Sequence, residues 1–449
     1  MIHQDRIKVL RPGAPARGAF VLYWMQASQR AVDNHSLEYA IERANDLALP
    51  VGVLFCLTQD YPEANLRHYA FMLEGLRETV DALTSRGIAT LVVNGSPVTQ
   101  VPRVARRAAM VVTDRGYLRH QREWRAQVAG SLECPLVQVE TDAVVPVESA
   151  SPKAEYAAAT FRPKIGRMLL RYLVPVRPRE AVAPQLRFDE PSIDLSDVDV
   201  ALAALRVDTT VGRVQTLRGG ASEAQRLLVA FLDEKLEDYE RLRSNPAEQC
   251  SSQLSPYLHF GQVSPLRVAL LARDRGGPGA DAFLEQLIIR RELSLNYVYY
   301  NTSYDRIAAL PRWAQETLTA HDADQRPYVY DLDALEGATT HDPYWNAAQL
   351  EVVRTGSMHN YMRMYWGKKI LEWSPTPADA FERALYLNNR WQLDGRDPNS
   401  YAGVAWCFGM HDRPWQERPV FGKVRYMNAA GLERKFPIRD YATLYGPEG

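Results

Sequence analysis

Five short apolar runs, separated by amphipathic segments, organise the first third of this 449-residue chain. They are AFVLYWM (19–25), PVGVLFCL (50–57), ATLVV (89–93), MVVTD (110–114) and PLVQVE (135–140). Between the second and third lies a helical pattern, 66–87, that ends in a glycine suited to a C-cap. Buried strands that alternate with helices are typical of a parallel, doubly wound sheet. We therefore predict an α/β domain over residues 1–174, with a crevice where the strand order reverses.

The rest of the chain has a different pattern. Prolines at positions 175, 178, 184 and 191, with scattered aspartates, predict a linker over residues 175–215 that crosses the surface. After Leu217 the sequence takes on helical periodicity and keeps it, so we predict an all-helical domain over residues 216–449. The main helical runs are 222–243, with Ser222 as the expected N-cap, 281–300, 349–373 and 376–391. The predicted fold class is α/β followed by all-α.

Composition limits the functions that this chain can have. Hydrophobic residues make up 46% and charged residues 24%, as in soluble globular proteins. The net charge of −1 gives no overall attraction to nucleic acid, so any such binding requires a local basic patch. The four cysteines are far apart and have no metal-ligand or disulfide spacing. With no signal peptide and no run long enough to span a bilayer, we expect a cytoplasmic protein without a metal site.

The stretch from His359 to Trp406 is unusually rich in aromatic residues. Trp366 and Trp373 are seven residues apart, so on a helix they lie two turns apart on one face. Oxidisable indoles in series, including Trp345, can relay an electron from the surface to a buried acceptor. Core packing is the alternative interpretation for each of them.

A buried arginine and a carboxylate are expected in the same stretch. Asp394 opens a turn-forming string, LDGRDPN, that cannot continue a helix, and Arg363 lies in the run before it. Such a pair can face a heteroaromatic ring, and the arginine favours a reduced, anionic flavin. Asn360 shares the face of Arg363, and an Asn388 amide suits a flavin nitrogen whose protonation changes. A salt bridge that ties two helices is the alternative.

The segment 251–265, SSQLSPYLHFGQVSP, predicts a loop that enters a helix. Hydroxyls and free backbone N–H groups at a helix N-terminus form an anion site suited to a pyrophosphate. Tyr239 and Arg243 of the preceding run can close over such an anion. Ordinary helix capping is the alternative.

The C-terminal stretch 411–439 contains seven basic and three acidic side chains, a net charge of +4. Trp415, Phe421 and Tyr426 are interleaved with them. Cations and aromatic rings on one surface suit a phosphate backbone and an unstacked base. A solvated charged surface is the alternative.

Taken together, these segments resemble the photolyase/cryptochrome flavoproteins, and specifically class II cyclobutane pyrimidine dimer photolyases. In the first domain the similar strings are VLYWMQASQRAVDNHSLEYAIERAN, ANLRHYAFMLEGL, VVTDRGYLRHQREW and SPKAEYAAATFRPKI. In the second they are LSPYLHFGQVSP, RREL, HNYMRMYWGKKILEW, LDGRDPNSYAGVAW and ERPVFGKVRYMN. The resemblance runs nearly end to end. It implies a Rossmann-like antenna domain followed by a helical FAD-binding domain.

The resemblance also implies roles for individual residues. The residues implied at the FAD phosphates and ribityl chain are Tyr239, Arg243, Ser251, Ser252, Gln253, Leu254 and Ser255. Those implied around the isoalloxazine are Gln262, Asn360, Arg363, Asn388 and Asp394. The photoreduction relay would run from flavin to surface through Trp366, Trp345 and Trp373. Contacts with the dimer and DNA would come from Gln286, Met364, Trp406, Asp412, Arg413 and Arg425.

The implied activity is light-dependent repair of UV-damaged DNA. An electron from photoexcited FADH⁻ would split a flipped-out pyrimidine dimer, with Trp366, Trp345, Trp373, Asn388, Arg363, Asp394 and Gln286 as the catalytic set. We expect a monomer, with an antenna chromophore such as 8-hydroxy-5-deazaflavin in the first domain. Gln286 departs from the family pattern, which has a second glutamate in FLEEL where this chain has FLEQL. The alternative is a cryptochrome-like blue-light photoreceptor, and repair of (6–4) photoproducts is disfavoured because the strings match class II.

Overall fold

The computed structural model describes residues 2–446, so the predicted domain limits at residues 1 and 449 lie outside it. In this range six strands form one sheet in the order β1-β6-β5-β2-β3-β4. The strands are β1 Ile7–Arg11, β2 Phe20–Met25, β3 Val51–Leu57, β4 Ala89–Asn94, β5 Ala108–Asp114 and β6 Leu136–Val139. Strands β2 to β6 pair in parallel, which confirms the five predicted strands and the doubly wound arrangement. The strand order reverses beside β2.

The sequence pattern missed the edge strand β1. Its burial pattern is half-exposed throughout, so it lacks the apolar run that identified the other strands. It pairs antiparallel with β6, with Lys8 opposite Gln138. The register shifts between Val9 and Arg11, which is the signature of a β-bulge.

Helices cover both faces of the sheet. They are α1 His35–Asp46, α2 Leu66–Ser85, α3 Pro97–Ala105, α4 Arg119–Ser131, α5 Val147–Ala150 and α6 Ala158–Tyr172. Helix α2 buries Leu73, Leu76 and Leu83 in the core beneath the sheet. Gly87, just after its end, has a φ of +71°, which confirms the predicted glycine terminator.

The segment 175–215 does more than cross the surface. It contains a short helix, α7 Val198–Ala203, and the N–H of Ile193 donates to the carbonyl of Val92 in β4 at 2.8 Å. Leu195, Val198 and Leu202 are buried in the core of the α/β half. The segment therefore packs onto the sheet, and its limits as a linker stay a prediction.

The second half is helical, as predicted. Its helices are α8 Ala221–Ala230, α9 Tyr239–Leu242, α10 Ser255–His259, α11 Pro265–Arg275, α12 Gly277–Leu284, α13 Arg291–Tyr300, α14 Arg312–Ala320, α15 Leu332–Glu336, α16 Pro343–Thr355, α17 Asn360–Trp373, α18 Pro377–Trp391, α19 Pro398–Cys407, α20 Ala429–Lys435 and α21 Ile438–Tyr445. Two π-helical turns interrupt the runs, at Phe231–Lys235 and Glu285–Arg290.

Two sequence expectations about this half were wrong. Ser222 is not an N-cap, because Gly220 precedes helix α8 and Ser222 instead donates its hydroxyl and N–H to Glu78 of α2. The run 349–373 is not one helix. Gly356 has a φ of +69°, a left-handed conformation that ends α16 before α17 begins.

The two halves are joined by side chains of α2 that reach helix ends in the second half. Arg67 donates to the carbonyls of Val352, Val353 and Trp391, which lie at the C-terminal ends of α16 and α18. A cation is favourable there because the last carbonyls of a helix carry partial negative charge. His68 bonds to the carbonyl of Gln392 at 2.9 Å. These bonds fix the second half against the sheet.

Candidate flavin and nucleic-acid site

Arg363 of α17 and Asp394 of the turn after α18 form the predicted buried pair. Nη2 of Arg363 lies 3.3 Å from Oδ1 and 3.4 Å from Oδ2 of Asp394. The hydroxyl of Ser255, the first residue of α10, donates to the same carboxylate. Nε of Arg363 is buried and has no hydrogen-bond partner in the described chain. The pair therefore brings three distant segments together and leaves one guanidinium N–H available to a ligand.

The three amides predicted around the isoalloxazine have different surroundings. Asn388 is buried, and its amide bonds to Ser400, Asn389 and Gln392. Asn360 is exposed at the start of α17, three residues before Arg363 and on the same face. Gln262 receives the N–H of Gly220 at 2.8 Å and donates to the carbonyl of Phe71 at 3.2 Å.

The amide of Gln262 therefore links α2 to the start of α8, and it already has an acceptor and a donor partner. Its role beside a flavin stays a prediction.

His359 is a neighbour of this site that the sequence interpretation missed. Its Nδ1 accepts the N–H of Tyr361 at 3.2 Å, so it caps α17. Burial, and then Arg363, lower the pKa of His359 to about 4, although a bond with the Arg243 backbone opposes them. The ring is thus neutral near pH 7, with its proton on Nε2. Histidine is not among the residues that usually signal a helix start, so the sequence pattern did not indicate this cap.

Glu351 of α16 supports the same corner. Its carboxylate accepts the N–H of His359 at 3.2 Å and the hydroxyl of Tyr441. Burial raises the pKa of Glu351 to about 7. This carboxyl fixes the loop between α16 and α17 against helix α21.

The serine segment is a loop that enters helix α10, as predicted. Ser251 and Gln253 are exposed and Leu254 is buried. Gln253 has a φ of +55°, and the hydroxyl of Ser252 accepts the N–H of Leu254 at 3.4 Å. Ordinary capping of helix α10 explains these features. The anion-binding role of the segment stays a prediction.

Tyr239 and Arg243 lie on the segment before this loop. The Tyr239 ring packs edge-on against Phe231 and Phe283, each with a centroid distance of 5.5 Å. Burial raises the pKa of Tyr239 to about 12, so its hydroxyl stays protonated. Arg243 is half-buried.

The three tryptophans are in mutual contact. The rings of Trp345 and Trp366 are parallel within 4°, with centroids 6.3 Å apart, and the centroids of Trp345 and Trp373 are 5.7 Å apart. Trp345 therefore lies between the other two, in the predicted order. The expectation that the series ends at the surface is wrong, because Trp373 is only 1% exposed. Tyr330 and His341 cover it.

The predicted dimer-contacting residues lie around a π-helical turn. Gln286 is half-buried within Glu285–Arg290, a kind of turn that is frequent at functional sites. The guanidinium of Arg290 lies 5.4 Å from the ring centre of Trp406. Met364 of α17 lies against α19, where its carbonyl is 3.9 Å from the sulfur of Cys407, the residue after Trp406, and its contact with a dimer stays a prediction.

The predicted DNA-facing residues converge on Trp415, which is 40% exposed. The guanidiniums of Arg413 and Arg425 lie 5.3 Å and 5.0 Å from its ring centre. Its indole N–H is 3.3 Å from the carboxylate of Asp412. An exposed ring between two cations can contact both a base and a phosphate.

A separate cavity lies at the carboxyl ends of β2, β3 and β5, where the strand order reverses. Its volume is about 120 Å³. It is closed on one side by residues 258–260 and 396–398 of the helical half. Four polar atoms of its lining are buried without a partner in the described chain: Nε2 of Gln26, Oε1 of Gln29, and Nε and Nη2 of Arg396. Such donors and acceptors fit a flat ring with carbonyl and N–H groups.

Between residues 2 and 446, no group of three or more His, Cys, Asp or Glu side chains is arranged to hold a metal ion. No helix in that range has the length and apolar character needed to cross a bilayer.

Solved structures identify the fold. A Synechocystis cryptochrome has a TM-score of 0.75 at 15% identity, with 95% of this chain and 88% of that chain covered. A class III photolyase from Agrobacterium tumefaciens has a TM-score of 0.72 at 18% identity, covering 96% of this chain and 87% of that one. The protein therefore has the photolyase/cryptochrome fold.

Sequence relatives identify the family. The family model for DNA photolyase matches residues 21–184. A deoxyribodipyrimidine photo-lyase of Methanothermobacter thermautotrophicus is 54% identical over 442 residues, with 98% of each chain covered. Those of Oryza sativa subsp. japonica and Potorous tridactylus are 41% and 40% identical, over 97% and 96% of this chain and 89% and 81% of theirs. The chain belongs to the DNA photolyase family, whose members are flavoproteins that bind and repair DNA.

Proposed function

We propose that this protein is a class II photolyase that splits cyclobutane pyrimidine dimers in UV-damaged DNA, with reduced FAD as its cofactor. The observation that carries the proposal is the position of the tryptophan series beside the Arg363–Asp394 pair. Arg363 and Trp366 are three residues apart on α17, so they lie on neighbouring positions of one helix face. A charged pair suited to a redox ring thus adjoins a path of oxidisable side chains.

The residues around the pair fit a flavin. Arg363 has an unpartnered buried Nε, and its positive charge favours an anionic ring. Asp394 adds an acceptor beside Arg363, and the neutral His359 adds no charge next to the pair. When bound, reduced FAD would supply the electron that opens the dimer after it absorbs blue or near-ultraviolet light. We assign Tyr239, Arg243, Ser251, Ser252, Gln253, Leu254, Ser255, Gln262, Asn360 and Asn388 to its remaining contacts.

The tryptophan series would pass an electron inward to restore the reduced cofactor. Trp366, Trp345 and Trp373 are each at most 2% exposed, so water is excluded from the path. The outer end would continue through Tyr330, whose ring centre is 5.5 Å from that of Trp373, to Tyr328, which is 48% exposed and stacks on Tyr330 at 6.4 Å.

Trp415 and the arginines beside it would hold the damaged DNA. Arg413 and Arg425 on Trp415 suit the phosphate backbone beside the lesion. A flipped-out dimer costs less to extrude than a normal pair because its stacking is already weakened. Gln286, Met364 and Trp406 would then contact it.

The cavity at the strand ends would hold an antenna chromophore such as 8-hydroxy-5-deazaflavin. Its unpartnered Gln26, Gln29 and Arg396 atoms support an occupant with polar ring edges. An archaeal photolyase from Sulfolobus tokodaii, with a TM-score of 0.72 at 17% identity, was solved with two FAD molecules. A second chromophore therefore occurs on this fold.

A cryptochrome-like photoreceptor is the alternative, and the Synechocystis likeness carries it. Repair distinguishes the two. Purified protein with reductant and blue light should restore intact thymines in an oligonucleotide that contains a cyclobutane dimer, and a dark sample should not. Binding without restoration of thymines would favour the photoreceptor. Restoration of a (6–4) lesion instead of the cyclobutane dimer would contradict the substrate assignment.

A further inference from the structure

A second cleft lies on the α/β half, between the edge strand β1 and helix α4. Its volume is about 540 Å³, which is within the range of small-molecule sites, roughly 300–1,000 Å³. Its cationic lining consists of Lys8, Arg11, Arg115, Arg122 and Arg125.

The β-bulge in β1 explains why two of these cations share a face. Lys8 pairs with Gln138 and, after the register shift, Arg11 pairs with Leu136. Without the extra residue, Leu10 would occupy that position and Arg11 would point to the opposite face. The bulge thus places Arg11 beside Lys8, on the face that α4 covers.

Helix α4 supplies the other wall. Arg122, Arg125, Ala126, Ala129 and Gly130 follow the i, i+3, i+4, i+7, i+8 spacing of one helix face. The three small residues leave room against the sheet, and the two arginines lie at one end of that room.

Three of the guanidiniums have no carboxylate partner in the described chain. Arg11 donates to the carbonyl of Ala129, and Arg122 donates to that of Tyr299. Arg125 is only 4% exposed, and it donates to the amide oxygen of Gln26 and the carbonyl of Gly116. Lys8 and Arg115, in contrast, pair with Glu148. Of the three cations without a carboxylate partner only Arg125 is buried, whereas Arg11 is half-buried and Arg122 is exposed at the rim. A buried cation without an anion is costly, so an anionic ligand near Arg125 would be stabilising.

Gln138 points to a ligand independently. It is 4% exposed and lines the cleft, and its side-chain amide has no hydrogen bond within residues 2–446. Because its amide is not sealed off from the cleft, the NH₂ group can donate to an oxyanion bound there.

We propose that this cleft binds a small oligoanion that carries at least two phosphate or carboxylate groups. Arginine forks match such groups bidentately. Arg11 and Arg122 each use only one terminal nitrogen within the described chain, and the charge of Arg125 lies behind them, so the cleft can take more than one anionic group. A duplex is a poor occupant, because its backbone cannot reach Gln138 and Arg125 between the strand and the helix. The proposal is independent of the repair activity.

The test is calorimetric titration of the full chain with pyrophosphate and, separately, with triglutamate. At least one should bind saturably with 1:1 stoichiometry, and the stronger of the two identifies phosphate or carboxylate as the ligand chemistry. Arg122→Gln should weaken that binding by about tenfold, the value of one charge-assisted hydrogen bond. Arg226→Gln, which removes an exposed arginine of α8, should leave it unchanged.

Arg125 is buried, so its loss can disturb folding. The test of ligand binding therefore uses Arg122→Gln and Arg11→Gln, which change less buried residues of the cleft. Flavin content and thermal unfolding should stay as in the unaltered protein. The proposal is overturned if neither probe binds, or if both bind equally in every variant. It also fails if the variants weaken binding of undamaged duplex DNA by the same factor, since the cleft would then belong to the DNA interface.

Discussion

The helical site around Arg363 and Asp394 and the cavity at the strand ends both contain residues of the turn 394–396. They differ in how their polar groups are paired. Asp394 points to Arg363 and Ser255 in the helical site, whereas Arg396, two residues later, lines the cavity. Arg396 has a φ of +66°, and its N–H is held by Asn389 at 2.9 Å. In the helical site the two charges pair with each other, and Nε of Arg363 is the atom of the pair that is buried without a partner in the described chain. In the cavity, four buried polar atoms have no partner in the described chain.

This difference shows which site the chain itself organises. A paired arginine and aspartate keep their geometry before any ligand arrives, so the helical site is preorganised for one ring. Unpartnered buried groups cost about 1–3 kcal/mol each, so the cavity gains from any occupant, including ordered water. We therefore expect the flavin to depend on few residues and the antenna to be replaceable.

Asp394→Ala is expected to have the largest effect, because it breaks the preorganised pair. Leaving Arg363 buried and unpaired costs on the order of 3–5 kcal/mol, and flavin should be lost on purification. Visible absorbance per protein measures the retained flavin. Asp189→Asn, which alters an exposed ion pair with Arg107, is the matched control and should keep full flavin.

Circular dichroism of Asp394→Ala separates flavin loss from unfolding. A folded variant with normal flavin content would show that the pair does not organise the site.

Trp345→Phe tests the relay that adjoins the helical site. Flavin photoreduction under continuous blue light should slow by an order of magnitude or more, because Trp345 contacts both other indoles. Repair by chemically reduced enzyme should not change. Trp391→Phe, outside the series, serves as control, and equal photoreduction rates in both variants would rule out this path.

Arg396→Met tests the cavity at the strand ends. It removes two unpartnered donors, so affinity for 8-hydroxy-5-deazaflavin should fall by about tenfold, one charge-assisted bond. Fluorescence titration measures the affinity, and the helical flavin should remain. Arg312→Gln, an exposed change, should have no effect. Loss of the flavin instead would mean that the two regions are not separable.

Glu292→Gln tests a contact between the helical half and the α/β half. Glu292 of α13 accepts the N–H groups of Val144 and Val145, and burial raises its pKa from 4.5 to about 8. Because the folded-state pKa is the higher one, its stabilisation is full below pH 4.5 and is lost as the pH rises through about 8. The variant should flatten that fall in thermal stability. Glu316→Gln should leave the profile unchanged, and an equally steep profile in Glu292→Gln would refute the assignment.

Gln286→Glu is expected to have the smallest effect. Gln286 lies in the same π-helical turn as Arg290 and takes no part in the hydrogen bonds of the Arg363–Asp394 pair, so flavin content should not change. Repair quantum yield should change by about fivefold, the value of one hydrogen bond near 1 kcal/mol. An unchanged yield would show that this position does not matter for the dimer.

The pattern of apolar residues along the sequence predicted those strands that contain a buried apolar run. Strands β2 to β6 are apolar runs, and the Arg363–Asp394 pair followed from a turn signal beside an aromatic helix. Strand β1 could not be recognised, because an edge strand needs no apolar face. The break at Gly356 was missed because glycine within a helical pattern is often tolerated.

The cavity and the burial of Trp373 depend on contacts between distant segments. Gln26 and Arg396 approach only after the helical half packs onto the sheet. Tyr330 and His341 cover Trp373 from a segment whose sequence has no matching periodicity. Such tertiary contacts leave no local signal, so sequence patterns could not indicate them.

The most direct measurement is the visible absorption spectrum of the purified protein, before and after incubation with FAD. We expect a flavin spectrum at near one equivalent per chain, bleached by blue light with reductant as the flavin is reduced. Protein that stays colourless after reconstitution, although folded, would contradict the assignment of the helical half as a flavin site.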